Sequence, residues 1–219
     1  SYQSDVALQQ ICARFNGDWG QDSLVKLGGL LGQAEWIEKG DVANKVTPEF
    51  YSHDPYGRRI DEVRYHPAYH ELMALACDYD IPSLPWKNSQ PGSHVVRMAR
   101  NYLYNQNEAG SACPLTMTFA CVPSINHNKA LAKHWLPKIL NSQYDGRNLP
   151  LADKNAATVG MAMTEKQGGT DVRANTSQAK HVGSDELGER YLLTGHKWFC
   201  SAPMSDAFLT LAQTEAGLS

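Results

Sequence analysis

The sequence contains no CxxC pair, no long uninterrupted apolar run, no basic-then-apolar leader and no internal repeat. Each absence excludes something. Five cysteines, an odd number, are scattered at Cys12, Cys77, Cys113, Cys121 and Cys200 through 219 residues. A chain of that length can bury a core without disulfide staples, so free thiols in a reducing compartment are expected. The longest apolar stretch, Leu115 to Ile125, is broken by polar residues and falls short of the roughly 20 apolar residues of a spanning helix. The opening Ser-Tyr-Gln-Ser-Asp carries no signal-peptide pattern. A soluble, cytoplasmic protein without a membrane partner is the expectation. Neither GxGxxG nor a Walker A loop occurs, so Rossmann and P-loop nucleotide binding have no support. A net charge of -3 argues against a dominant footprint for nucleic acid or anionic membrane.

What is present is an ordinary globular composition. Hydrophobic residues make up 42% and charged residues 20%, which rules out wholesale disorder. At about 150 residues per domain, one to two domains are expected. The chain changes character near residue 156. Before it, apolar residues recur at helical spacing. Leu24, Leu27, Leu31, Ala34 and Ile37 share one face, with Asp22 or Ser23 as cap and Gly40 as the stop. Pro67 opens a second helix, and Pro91-Gly92-Ser93 a third. A fourth starts at Pro114 and ends near Pro123, and a fifth covers 128–140. Residues 144–155 have loop chemistry. After 156, strands are expected over 157–163, 177–182, 191–199 and 207–213, with a turn-rich insert at 183–189. The fold class is therefore α+β: an all-α domain over 1–156, then the opening strands of a β-domain over 157–219. The chain stops just after a strand-like run, so either more chain or a partner is expected to complete the sheet.

The densest chemical signal is Met161-Ala162-Met163-Thr164-Glu165-Lys166-Gln167-Gly168-Gly169-Thr170-Asp171-Val172. A strand ends in Thr-Glu, and a Gly-Gly turn then presents Thr170 and backbone N–H groups, which suit an anion such as a pyrophosphate. By pattern alone, the simpler reading is a β-turn in which Thr170 or Asp171 caps its own backbone.

The run resembles the Thr-Glu…Gly-Ser-Asp signature of the acyl-CoA dehydrogenase family, and is most similar to its AidB-like branch of alkylation-response flavoproteins. The stretches 61–67 (Asp-Glu-Val-Arg-Tyr-His-Pro), 108–120 (Glu-Ala-Gly-Ser-Ala-Cys-Pro-Leu-Thr-Met-Thr-Phe-Ala) and 195–201 (Gly-His-Lys-Trp-Phe-Cys-Ser) resemble that branch too. The resemblance implies an N-terminal helical domain, a middle β-domain and a C-terminal helical bundle, the last absent from these residues. It implies FAD as cofactor. Met161, Ala162, Met163 and Thr164 would lie along the flavin ring, with the Thr164 hydroxyl near the reactive ring nitrogen. Thr170 stands where the family usually has Ser and would bind the pyrophosphate. Phe199, Cys200 and Ser201 would belong to a second flavin-contacting strand. Phe199 replaces a frequent Trp and Ser201 a usual Thr. Trp198, by strand alternation, would point into plain packing.

The family's catalytic Glu lies in the C-terminal bundle, so no catalytic residue is assigned here and Glu165 is not taken as the base. The resemblance thus implies the front part of an oxidoreductase, inactive by itself. It makes acyl-CoA a possible small-molecule partner, DNA a partner only through the C-terminal region, and the intact protein a homo-oligomer. Two other readings stand beside it. One is a non-enzymatic DNA-protection flavoprotein, which a basic C-terminal region would mark. The other is a short partner-binding module, which an exposed strand edge after Gln213 would favour.

Other residues carry less. His66 and His70 are four apart, but no Glu follows His66, so HExxH is absent and Pro67 makes His66 a helix-entry residue. No metal site is assigned. Cys77 reads as a small buried hydrophobe, and Cys113 at a helix start has no histidine nearby in sequence. Arg97 and Arg100 share a helical face and read as salt-bridged or solvated. Met117 and Phe119 could line an acyl pocket or simply pack.

Overall fold

Asp5 starts the first helix by accepting a hydrogen bond from the Leu8 N–H at 2.9 Å, the N-cap arrangement. In the computed structural model, which describes residues 1–219, this helix is α1 (Val6–Arg14). Two more follow, α2 (Gln21–Leu31) and α3 (Ala34–Lys45). The single helix expected across Leu24 to Gly40 is therefore two. Gly32 ends α2, and Gln33 is extended at ψ 144° before the chain coils again. The break turns Ile37 out to solvent while Leu24, Leu27 and Leu31 stay buried. Gly40 is not a stop. It lies within α3, where a Cβ would come 2.5 Å from the Asn107 carbonyl oxygen, so its lack of a side chain admits a close backbone approach.

A hairpin absent from the sequence reading follows, β1 (Glu49–His53) antiparallel to β2 (Arg59–Arg64). Its turn is set by Asp54, whose Oδ1 accepts from the N–H groups of Tyr56 and Arg58 at 2.8 and 2.9 Å. The hairpin interrupts the helical run, in which α1 was likewise not expected from the sequence. His66 accepts from the Ala68 N–H and Pro67 is the first residue of α4 (Pro67–Asp78). A single turn, α5 (Leu84–Lys87), leads to α6 (Ser93–Asn105), α7 (Ala112–Ile125) and α8 (Lys129–Ile139).

Pro123 and Pro137 lie inside the last turns of α7 and α8 rather than ending them. A proline cannot donate to the carbonyl four residues back. For Pro123 that carbonyl belongs to Phe119, and the Trp86 indole N–H bonds it instead at 2.9 Å.

Leu72, Met73 and Ala76 of α4 pack with the α2 leucines and with Ala99, Leu103 and Tyr104 of α6 to form the main core. Arg97 and Arg100 are not on the surface. Both are buried, and they donate to the carbonyls of Ile81 (2.8 Å) and Tyr79 (2.6 Å), just past the C-terminus of α4. Cations are favourable at that end of a helix. The Arg97 guanidinium also lies 3.6 Å from the Phe119 ring centroid, and burial pushes its pKa down to about 10.

The second part begins with β3 (Val159–Ala162), joined in parallel to β6 (Ala207–Thr210). The other edge of β3 is bonded to α7: the Val159 N–H donates to Thr118 Oγ1 at 3.1 Å and the Met161 N–H to Met117 Sδ at 3.2 Å. A separate sheet has the order β5-β4-β7-β8, with β4 (Gln178–Asp185), β5 (Gly188–Thr194), β7 (Gln213–Thr214) and β8 (Gly217–Leu218). The expected insert at 183–189 is mostly strand. Only Glu186 and Leu187 form the turn, and the register shifts between His181 and Gly183. The expected strand over 191–199 stops at Thr194. No helix is long and apolar enough to cross a membrane.

One carboxylate at the junction of the two parts predicts a pH response. Asp145 is bonded by the Arg147 guanidinium at 2.6 and 2.8 Å and by the Asn155 N–H at 2.9 Å. The Arg147 contact, first among these, holds its carboxyl well below the usual carboxylate range. A depressed folded-state pKa gives stability that is present above the unfolded value and lost as pH falls below about 4. Urea midpoints followed downward from about pH 5 should therefore fall more steeply for the native chain than for Asp145→Asn. Equal slopes would remove Asp145 from the acid limb.

Candidate functional site

The Thr-Glu stretch leaves β3 and turns back on itself. Gly168 adopts φ +136° and donates its N–H to the Glu165 carbonyl at 2.9 Å. A Cβ on Gly169 would come 2.7 Å from Thr164 Oγ1, so that glycine keeps the turn close to the threonine. Asp171 caps the short turn after it by accepting from the Arg173 N–H. The self-capping turn of the simpler sequence reading is thus present, and Thr170 is exposed beside it.

Glu165 is the centre of the arrangement and is only 1% exposed. Oε2 accepts from Thr176 N–H (2.6 Å), Thr176 Oγ1 (2.9 Å) and Gln167 Nε2 (3.0 Å). Oε1 accepts from Ser177 N–H (3.0 Å) and Lys197 Nζ (2.9 Å). These donors, led by the Thr176 backbone N–H, hold its carboxyl far below the usual range. Nearby, Asn175 Nδ2 donates to the Met163 carbonyl at 3.0 Å, and the Trp198 N–H to the Thr164 carbonyl at 2.9 Å.

The bonds from Trp198 and Lys197 bring the stretch 195–201 against Thr164 and Glu165. That stretch is not the strand expected of it. Residues 195–206 form an irregular loop with Phe199 at φ +59° and Ala202 at φ +51°. Strand alternation therefore does not set where its side chains point. Trp198 is 41% and Phe199 79% exposed, so neither is packed into a core. Cys200 and Ser201 are exposed too. Of the β3 residues, Met161 and Ala162 already spend backbone groups on Met117 and on the Thr210 hydroxyl. Met163 and Thr164 lie past the strand end, beside the loop.

Ser201 and Ala202 also border a cleft of about 240 Å³ whose far wall is Tyr65, Tyr69, Cys113 and Pro114. A larger cavity of about 640 Å³ lies away from these residues, among α2, α3 and the α6–α7 connection. It is lined in part by Glu108, Ala109 and Gly110 of the 108–120 stretch, but by no residue of 161–172 or 195–201.

The other stretches have structural work. Glu108 accepts from the Gly110 and Ser111 N–H groups at 2.5 and 2.7 Å and so ties down the entry to α7. Tyr104 and Ser111 share a buried hydroxyl contact at 2.6 Å. His70 contacts the Tyr144 hydroxyl at 3.0 Å, and burial lowers its pKa. Met117 braces β3, and Phe119 stacks on Trp86 with centroids 5.0 Å apart. Cys12, Cys77 and Cys121 are buried, whereas Cys113 is exposed. The sequence reading missed Lys197 and the Thr176–Ser177 pair. Their role depends on a carboxylate far away in sequence, and no local pattern marks them.

Comparison with known proteins bears on the chain as a whole. The family model described as the adaptive response protein AidB N-terminal domain matches residues 1–146. The chain is 44% identical over 220 residues to AidB of Escherichia coli (strain K12), named as a candidate acyl-CoA dehydrogenase. That alignment covers 100% of this chain and 40% of the relative. Acyl-CoA dehydrogenase family member 11 of Caenorhabditis elegans is 27% identical over 177 residues, covering 80% of this chain and 27% of that protein. Among solved structures, the apo form of Bd2924 superposes with a TM-score of 0.84 at 28% identity, covering 100% of this chain and 44% of its own. Caenorhabditis elegans ACDH-11 in complex with C11-CoA gives 0.80 at 24% identity, covering 99% and 36%, a likeness of fold. The chain spans well under half the length of these curated relatives.

Proposed function

The chain belongs to the family of adaptive response protein AidB N-terminal domains, and from that membership we propose that it forms the front part of an FAD-dependent, acyl-CoA dehydrogenase-like oxidoreductase. The observation that carries this is the meeting of the two signature stretches. The Trp198 N–H bonds the Thr164 carbonyl, and Lys197 reaches Glu165. The flavin, when bound, supplies the hydride acceptor. The chain's own residues bind and orient it. Thr164 offers a hydroxyl at the end of β3, Phe199 offers an exposed aromatic face, and Ser201 a second hydroxyl across the junction. Thr170, exposed after the Gly-Gly turn, holds the pyrophosphate. These groups suit a planar ring with a charged tail: an aromatic face, hydroxyl donors and a turn open to solvent. An acyl-CoA thioester is the substrate class, in line with the acyl-CoA ligand of the C. elegans neighbour. The cleft beside Ser201 is its approach. No residue of this chain is assigned as the base, so the 219 residues are inactive without the rest of the family's architecture. The division near residue 156 belongs to this reading, with 1–156 as support and 157–219 as the cofactor side.

The test is a titration of FAD followed by flavin fluorescence and visible absorption. Saturable binding is expected. Thr170→Ala should weaken it about tenfold, the loss of one hydrogen bond to a charged group. With a dye acceptor, acyl-CoA oxidation by the chain alone should be nil. No binding of FAD at any concentration would sink the cofactor reading, and FAD-dependent turnover would sink the assignment of inactivity.

A further inference from the structure

The loop 195–206 has no strand partner, yet it holds Phe199 and Ala202 in left-handed conformations that side chains rarely adopt. Something outside the loop must impose its shape. Around the signature residues, two long-range contacts do so: Trp198 N–H to Thr164 O, and Lys197 Nζ to Glu165 Oε1. The Lys197–Glu165 pair is shielded from water, with side chains 14% and 2% exposed. Burying a carboxylate is costly unless every lone pair is met. Here both oxygens meet donors only, five in all, from its own turn, from 176–177 and from the loop. A neutral Gln at this position would turn one acceptor into a donor facing donors. The carboxylate is therefore required by the arrangement, and none of its donors is a residue assigned to the cofactor.

We propose that Glu165 is a positioning residue for the cofactor face: acting through Lys197, it sets the loop bearing Phe199 and Ser201 against Thr164 before any flavin arrives. This rests on the flavin reading for its purpose, though the clamp itself is a property of the free chain. Pre-setting a loop removes the cost of ordering it on binding. Loss of the clamp should therefore appear as weaker cofactor binding and as a flavin in a less defined environment.

The experiment uses the 219-residue chain with Lys197→Met, Lys197→Arg and Glu165→Gln. Amide hydrogen exchange without flavin comes first. In Lys197→Met, residues 195–201 should exchange at least about tenfold faster while the β1–β2 hairpin and α6 are unchanged. Lys197→Arg, which keeps a donor and a charge, should restore most of the protection. Glu165→Gln should release 176–177 as well. FAD titrations then expect a Kd raised about tenfold or more in Lys197→Met and a blurred vibronic shoulder in the flavin spectrum, both recovered in Lys197→Arg. If Glu165→Gln fails to fold, the lysine pair alone decides. Unchanged exchange over 195–201 in Lys197→Met overturns the clamp. Faster exchange with unchanged Kd and spectrum overturns its role in positioning. A chain that binds no FAD while showing the exchange pattern overturns the flavin reading and leaves the clamp standing.

Discussion

Replacing Gly92 by alanine should remove about 3–5 kcal/mol of stability, a large share of the roughly 5–15 kcal/mol available to a folded domain. Gly92 precedes α6 at φ +81°. A left-handed conformation costs a residue with a side chain about 1–3 kcal/mol. Space is the harder constraint. An added Cβ would fall 1.9 Å from the Asn16 carbonyl oxygen and 2.9 Å from the Gly17 nitrogen. These are backbone atoms, so no rotamer change relieves them, and overpacking adds about 1–3 kcal/mol. Gly57 is the control. It has φ +76°, but nothing lies within 4 Å of its would-be Cβ. Gly57→Ala should show the conformational cost alone. Urea melts of the two variants against the native chain separate the terms. Equal losses at both sites would show that the steric argument at Gly92 is wrong.

Asp206→Ala should cost about 3–5 kcal/mol, because it leaves a buried ammonium without its counter-charge. Lys154 and Asp206 meet at 2.5 Å with side chains only 3% and 10% exposed. Asp206 also accepts from the Thr158 N–H at 2.8 Å and returns its own N–H to the Thr158 carbonyl at 3.0 Å. The pair thus joins the loop before β3 to the residue before β6. Removing both charges together is a different matter. Lys154→Met with Asp206→Ala leaves no orphan charge, so most of the loss should return, less the bond the carboxylate accepts from the Thr158 N–H. A double-mutant cycle by thermal or urea unfolding reads this directly. If the double variant is as unstable as Asp206→Ala, the loss comes from the Thr158 N–H left without its Asp206 Oδ2 acceptor and not from an unpaired charge.

Much of the helical part was legible because its signals are local. Pro67 with His66, and Asn128 before α8, mark their helices through capping that involves only near neighbours. The β1–β2 hairpin was missed because β2 carries charge on both faces, as in Arg59, Asp61, Glu62 and Arg64. The Asp54-Pro55-Tyr56-Gly57 turn was the signal available. Arg97 and Arg100 were misplaced because a charged side chain is ordinarily exposed, and only the fold brings carbonyls to meet them. At the candidate site, the strand leading to Thr164 was legible and the shape of 195–201 was not. A strand pattern of Trp, Phe and His was overridden by contacts from Glu165 and Thr164, more than thirty residues earlier.

The parallel pairing of β3 with β6 also bears on the order in which the molecule assembles. Everything from Met163 to Asp206, including all the loops around Glu165, lies between two strands that are neighbours in space. During synthesis β3 has its α7 side satisfied early, yet it waits for Ala207 before its second edge can close. The helices close their hydrogen bonds within their own turns and all precede Ala207 in the chain, so they are expected to form first. The loop must then be drawn shut, a step whose entropic cost grows only slowly with length, about 0.6 kcal/mol per doubling. Such non-local closure is slow relative to forming the helices themselves. The cofactor face is therefore expected to be the last surface to mature, on a helical scaffold already in place.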